Sequence, residues 1–177
     1  RIARLLREVK GIRIQIAGFP PVRRFQAGML PEQEALYHQF RAEGLDVWPG
    51  YHHVGYQLQL NFAASLLFAQ QGNFVWQEIV NEPDEAKKLA MLADPEWRRR
   101  ARESWDNQFA HTMLNKPAEM FLRESETGAG PVGITLAEYM ANGGFNHPSD
   151  ALAQWAWDNG PRSAVQMSAW VINDDYL

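Results

Sequence analysis

The chain has 177 residues, 46% of them hydrophobic and 21% charged, and its formal net charge of −4 gives no general attraction to nucleic acid or anionic lipid. No apolar run reaches the ~18 residues of a membrane span, and the opening RIARLLREVK lacks the apolar core of a signal peptide. The absence of cysteine excludes disulfides and thiolate metal sites; it suits any compartment, and a cytoplasmic location is the expectation.

Residues 1–10 carry Ile2, Leu5, Leu6 and Val9 at helical spacing, with Gly11 as a stop. IRIQIAG then alternates Ile12, Ile14 and Ile16 against Arg13 and Gln15, the period of two that marks a strand. The loop FPPVRRFQAGML follows, because Pro20 and Pro21 cannot donate backbone hydrogen bonds. A helix is expected from about Pro31 to Glu43, with Leu36 and Phe40 on one face and Gly44 closing it. Leu45 to Trp48 then forms a short strand. Helix, strand, loop, helix, strand is the rhythm of a parallel α/β unit, whose binding loops follow the carboxyl ends of strands. Both FPPVRRF and the loop around YHHVGY occupy that position.

After residue 60 the rhythm breaks. NFAASLLFA reads as a buried helical turn, and Pro83-Asp84-Glu85 opens a helix to about Ala93. Asp94-Pro95-Glu96 caps and starts another, with Trp97, Ala101 and Trp105 on one face. EMFLRES is a candidate strand, and Thr135 and Glu138 have capping-box spacing. Ser149-Asp150 begins a helix that Asn159-Gly160-Pro161 ends, and AVQMSAWVI reads as a last strand. Residues 61–163 thus form a mostly helical cap or insertion on an α/β scaffold. Since the chain opens at Arg1 inside a helical pattern and closes on a strand-like run, it reads as an internal segment of a larger protein.

QLNFAASLLF, VWQEIV and MLADPEWRRRARESWD, followed by GITLAEYMANGGFNHPSDALAQWAWDNG, resemble in order the N-acyl-D-amino-acid deacylases and related D-aminoacylases. GIRIQIAGFPP and EGLDVWPGYHHVGYQ sit where that family has its sixth and seventh barrel strands. The family is a branch of the metal-dependent amidohydrolases. The resemblance covers nearly the whole chain and implies part of a (β/α)8 barrel, about two strands, plus a cap over the pocket. On it, residues 1–60 are the barrel segment, 61–163 the cap, and 164–177 a return strand toward the barrel. It also implies a zinc ion that polarises an amide carbonyl and lowers the pKa of a bound water. The ligands would lie outside this chain, as would the aspartate expected after the eighth strand. Where the sixth strand often ends in Ser-His, this chain has Ala17-Gly18-Phe19, so no metal ligand is assigned here. The implied substrate is a small N-acyl amino acid or similar amide.

His52 and His53 are adjacent, and neighbours in an extended stretch face opposite ways, so both cannot easily bind one metal. The resemblance sets His52, beside Tyr51, where relatives carry a substrate-facing arginine or tyrosine; a polar loop packed under the cap is the alternative. Arg23 and Arg24 sit in the loop after the first strand, where either could hold an acidic group bidentately. His38, His111 and His147 read as isolated surface residues. Arg98, Arg99, Arg100 and Arg102 point round a helix that also carries Glu96 and Glu103, so they read as a solvated face and no nucleic-acid partner follows. Two rival readings stay open: a degenerate relative without metal, and a non-catalytic, aromatic-rich binding module.

Overall fold

The computed structural model describes residues 7–9, 11–19, 30–51, 57–108, 114 and 116–168. It is a mixed α/β structure, and the described residues divide into two compact units, one up to Tyr51 and one from Gln57 to Ser168.

The first unit is a single βαβ crossover. Strand β1 (Arg13–Phe19) pairs in parallel with β2 (Asp46–Tyr51), and helix α1 (Leu30–Ala42) lies between them in sequence. Alternation sends Ile14 inward while Arg13 and Gln15 stay exposed. Ile14, Tyr37 and Leu45 pack around Phe40 and Val47, which are 3% and 1% exposed. Leu36, expected on the buried face with Phe40, is instead 45% exposed, and Tyr37 takes that role. One turn of helix separates Leu36 from Phe40, but a single parallel strand pair is too narrow to cover both. Gly44 adopts φ +75°, which turns the chain so that the Leu45 amide donates to the Phe40 carbonyl at 2.9 Å.

The second unit holds a three-stranded antiparallel sheet in the order β3–β5–β4, with β3 Gln57–Asn61, β4 Met120–Glu124 and β5 Ala164–Ser168. Six helices accompany it: α2 (Leu67–Gln70), α3 (Phe74–Asn81), α4 (Glu85–Ala93), α5 (Pro95–Asp106), α6 (Leu136–Gly143) and α7 (Pro148–Asn159). Leu60, Met120, Leu122, Val165 and Met167 point into the core, while Gln57, Gln59, Phe121 and Arg123 line the exposed face. Residues 57–60, grouped from sequence with the barrel segment, are therefore an edge strand of this unit. Residues 164–168, read as a return strand toward a barrel, form the centre of the same small sheet. A partner for a strand is chosen by distant residues, which local alternation does not name.

The helix starts follow their local chemistry. Asp84 accepts from the amides of Ala86 and Lys87, and Asp94 from that of Glu96 with Pro95 in the first turn. Thr135 and Glu138 close a full capping box on α6. The core is an aromatic stack. Trp76, fully buried, lies 5.1 Å from Phe68 with nearly parallel rings and meets Trp97 edge-on at 5.2 Å and Trp105 at 6.0 Å. Trp97, Ala101 and Trp105 are buried along one face of α5, as their spacing requires.

Candidate functional site

The parallel pair supplies the geometry in which α/β proteins build sites. β1 and β2 run in register from Arg13↔Asp46 to Ile16↔Pro49, and then Phe19 pairs with Tyr51. Three residue steps on β1 therefore match two on β2, a bulge at the carboxyl end of β1 that contains Ala17 and Gly18. The carboxyl ends of the two strands, Phe19 and Tyr51, consequently lie side by side at one end of the sheet. Tyr51 is the last residue of β2. Arg23, Arg24 and His52 lie outside the described residues. The backbone of Gly18 is within β1, at the position where the resemblance expects a histidine.

The opposite end of the pair is chemically closed. Arg13 Nε donates to Asp46 at 2.7 Å, Trp48 Nε1 donates to the other Asp46 oxygen, and the Arg41 guanidinium lies 4.7 Å from the Trp48 ring centre. The Arg13 hydrogen bond, then that of Trp48, holds the Asp46 carboxyl below its ordinary value. Glu43 takes two hydrogen bonds from Arg7 and one from Gln39, and its pKa falls to about 2 for that reason, Arg7 first. A cavity of about 360 Å³ is bordered by Arg7, Glu43 and Asp46 together with Ile12, Gly44 and Leu45. Both carboxylates there are held below the ordinary carboxylate range by their hydrogen-bond partners, which makes them weak proton acceptors.

The second unit offers polar groups that are already engaged. Lys88 is 3% exposed, and its ammonium donates to the carbonyls of Phe62 at 2.8 Å, Val80 at 3.3 Å and Ala63 at 3.5 Å. Desolvation lowers its pKa, opposed by Glu85 and Glu82. Those carbonyls occupy the three protons, so Lys88 braces the loop after β3 against the end of α3. Nothing in the Lys87-Lys88 pair signals which one is buried. A shallow pocket of about 380 Å³ is lined by Ala63 to Leu66, Gln77, Val80 and Asn81. Both ends of the Gln77 amide are used, by Ala69, Ser65 and Asn81.

The arginine run of α5 lies on a partly solvated face, as expected, and is taken up by pairs within the chain. Arg98 donates to the Leu92 carbonyl and to Gln154, Arg99 bridges Glu96 and Glu103, Arg100 pairs with Glu78, and Arg102 with Asp150. Among the described tryptophans, Trp157 is 45% exposed, whereas Trp97, Trp105 and Trp155 are buried. His38 is exposed as expected, but His147 is not an idle surface residue: it caps α7. Trp170 and His111 lie outside the described residues.

A zinc site needs three or four His, Asp, Glu or Cys ligands converging on one point. Among the described residues no three such groups come together. These residues by themselves do not fit a zinc ion. Among the described residues no helix is long and apolar enough to cross a membrane. No protein-family model matches the chain, and no curated protein and no solved structure matches it.

Proposed function

We propose that this chain is part of a metal-dependent amidohydrolase that cleaves N-acyl-D-amino acids or similar small amides. On this reading it contributes two strands of a (β/α)8 barrel and a helical cap, while the zinc ligands come from residues outside it. The observation that carries the proposal is the parallel register of β1 and β2, which sets their carboxyl ends, Phe19 and Tyr51, side by side. Carboxyl ends of parallel strands are where such barrels assemble their sites. The ordered motifs from QLNFAASLLF to QWAWDNG add support of a different kind.

The roles then follow from side-chain chemistry. Arg23 or Arg24 binds the substrate carboxylate through a two-pronged guanidinium contact. His52, with Tyr51, donates to that carboxylate or to the oxyanion formed at the acyl carbon. The metal, when bound, supplies an activated water. Gly18 leaves the sixth-strand position without a ligand, so the reading requires a set that does without it.

The test is direct. The protein that carries this chain, with its flanking segments, should bind zinc and release acetate from N-acetyl-D-amino acids. The flanks should carry His-x-His after a strand upstream and a Ser-Asp-type motif downstream. His52→Ala should lower kcat/KM by ~10²–10³-fold if it serves the oxyanion, and Arg23→Ala with Arg24→Ala should raise KM. A metal-loaded protein that hydrolyses no amide would refute the proposal.

A further inference from the structure

His147 stands at the start of α7, where serine, threonine, aspartate or asparagine is the usual cap. Its Nδ1 accepts the backbone N–H of Ser149 at 3.1 Å, and its Nε2 lies 3.2 Å from Asp106 Oδ1 on α5. A backbone amide can only donate, so Nδ1 must be unprotonated, and the ring hydrogen sits on Nε2 and faces Asp106. Ser149 itself is 1% exposed, and its hydroxyl accepts from Trp76 Nε1 at 2.9 Å. One imidazole thus ties the first turn of α7 to the centre of the aromatic core.

We infer that His147 is a proton-operated cap: neutral, it secures α7 through Ser149; protonated, it releases that contact. A second ring proton would place two donors face to face and leave the Ser149 amide without its acceptor. The positive end of α7 also repels an imidazolium. Asp106 opposes this by attracting the charged ring, but its side chain is 68% exposed and its field is screened by water. Of the other charged groups on the two helices that carry the cap, Arg102 on α5 and Asp150 on α7 pair with each other at 3.4 Å and so add little net charge.

His147→Asn supplies a cap that accepts but does not titrate. Thermal midpoints of the full chain and of this variant should be compared from about pH 8 to about pH 5, the range in which histidine changes charge. The wild type should fall by about 2–4 °C relative to the variant as pH drops, the shift that loss of one cap produces in a chain of this size. Asp106→Asn, which keeps the histidine, should enlarge the acid loss. In the wild type the Ser149 amide should lose hydrogen-exchange protection over the same range. Parallel profiles for wild type and His147→Asn, a wild type that gains in acid, or an Asp106→Asn variant with no larger loss would each overturn the inference.

Discussion

Trp76 is the point at which the second unit is most sensitive to change. Its indole is fully buried, stacks on Phe68, meets Trp97 and Trp105 edge-on, and donates to the buried Ser149 hydroxyl. Trp76→Phe keeps a ring but removes the donor and the second half of the indole. Orphaning the Ser149 hydroxyl costs about 1–3 kcal/mol. The lost volume adds about 1–2 kcal/mol, a fraction of the ~3–5 kcal/mol that truncating a buried tryptophan to alanine costs. The sum, about 2–5 kcal/mol, is a large share of an ordinary domain's stability and corresponds to roughly 5–15 °C in Tm. Urea unfolding followed by far-UV circular dichroism reads the loss as a lower midpoint at unchanged slope. Ser149→Ala in the Trp76→Phe background then removes both partners of the bond and should restore about 1 kcal/mol. A Trp76→Phe variant within ~0.5 kcal/mol of wild type, or a double variant weaker than the single, would refute the role assigned to this contact.

Other expectations are equally specific. Thr135→Ala should cost about 1 kcal/mol by opening the capping box of α6. Hydrogen bonds from the Thr135 amide and hydroxyl hold Glu138 below its ordinary pKa, so its contribution is present above the usual carboxylate range and fades as pH falls through the lowered value. Nuclear magnetic resonance titration of Glu43 should give a midpoint near 2, moving up toward the ordinary value in Arg7→Ala. That contribution likewise exists at neutral pH and disappears only in strong acid. Gly160→Ala should cost more than Gly128→Ala: both positions need positive φ, at +90° and +73°, but only at Gly160 would an added methyl run into the Glu126 side chain. Thermal midpoints decide the order of the two. Hydrogen exchange should be fastest in β1 and β2, whose unit rests on Phe40 and Val47 among the described residues, and slowest around Trp76.

The candidate site was legible in part. Alternation in IRIQI located one strand, and LDVW located another. That the two ends adjoin, through Phe19 and Tyr51, comes only from the pairing. The role of His147 was not legible, because its value depends on a helix start one residue earlier than Ser149-Asp150 suggested and on Asp106 from α5. Lys88 gave no sign of burial, since the carbonyls it serves belong to Phe62, Ala63 and Val80.

By itself the sequence determined what neighbours within a turn decide: the caps at Asp84, Asp94 and Thr135, the buried face of α5, and the strands at Arg13 and Met120. These rest on contacts between residues two to four apart, whose chemistry is visible in order. Only the tertiary structure decided which strands pair. It set β5 between β3 and β4, joining Leu60 to Val165 and Met120 to Met167 across gaps that no local period spans. It also chose Tyr37 over Leu36 for the first core and gathered four aromatic rings, those of Phe62, Phe68, Trp97 and Trp105, around Trp76. Burial is a property of what covers a residue, and the cover comes from elsewhere in the chain.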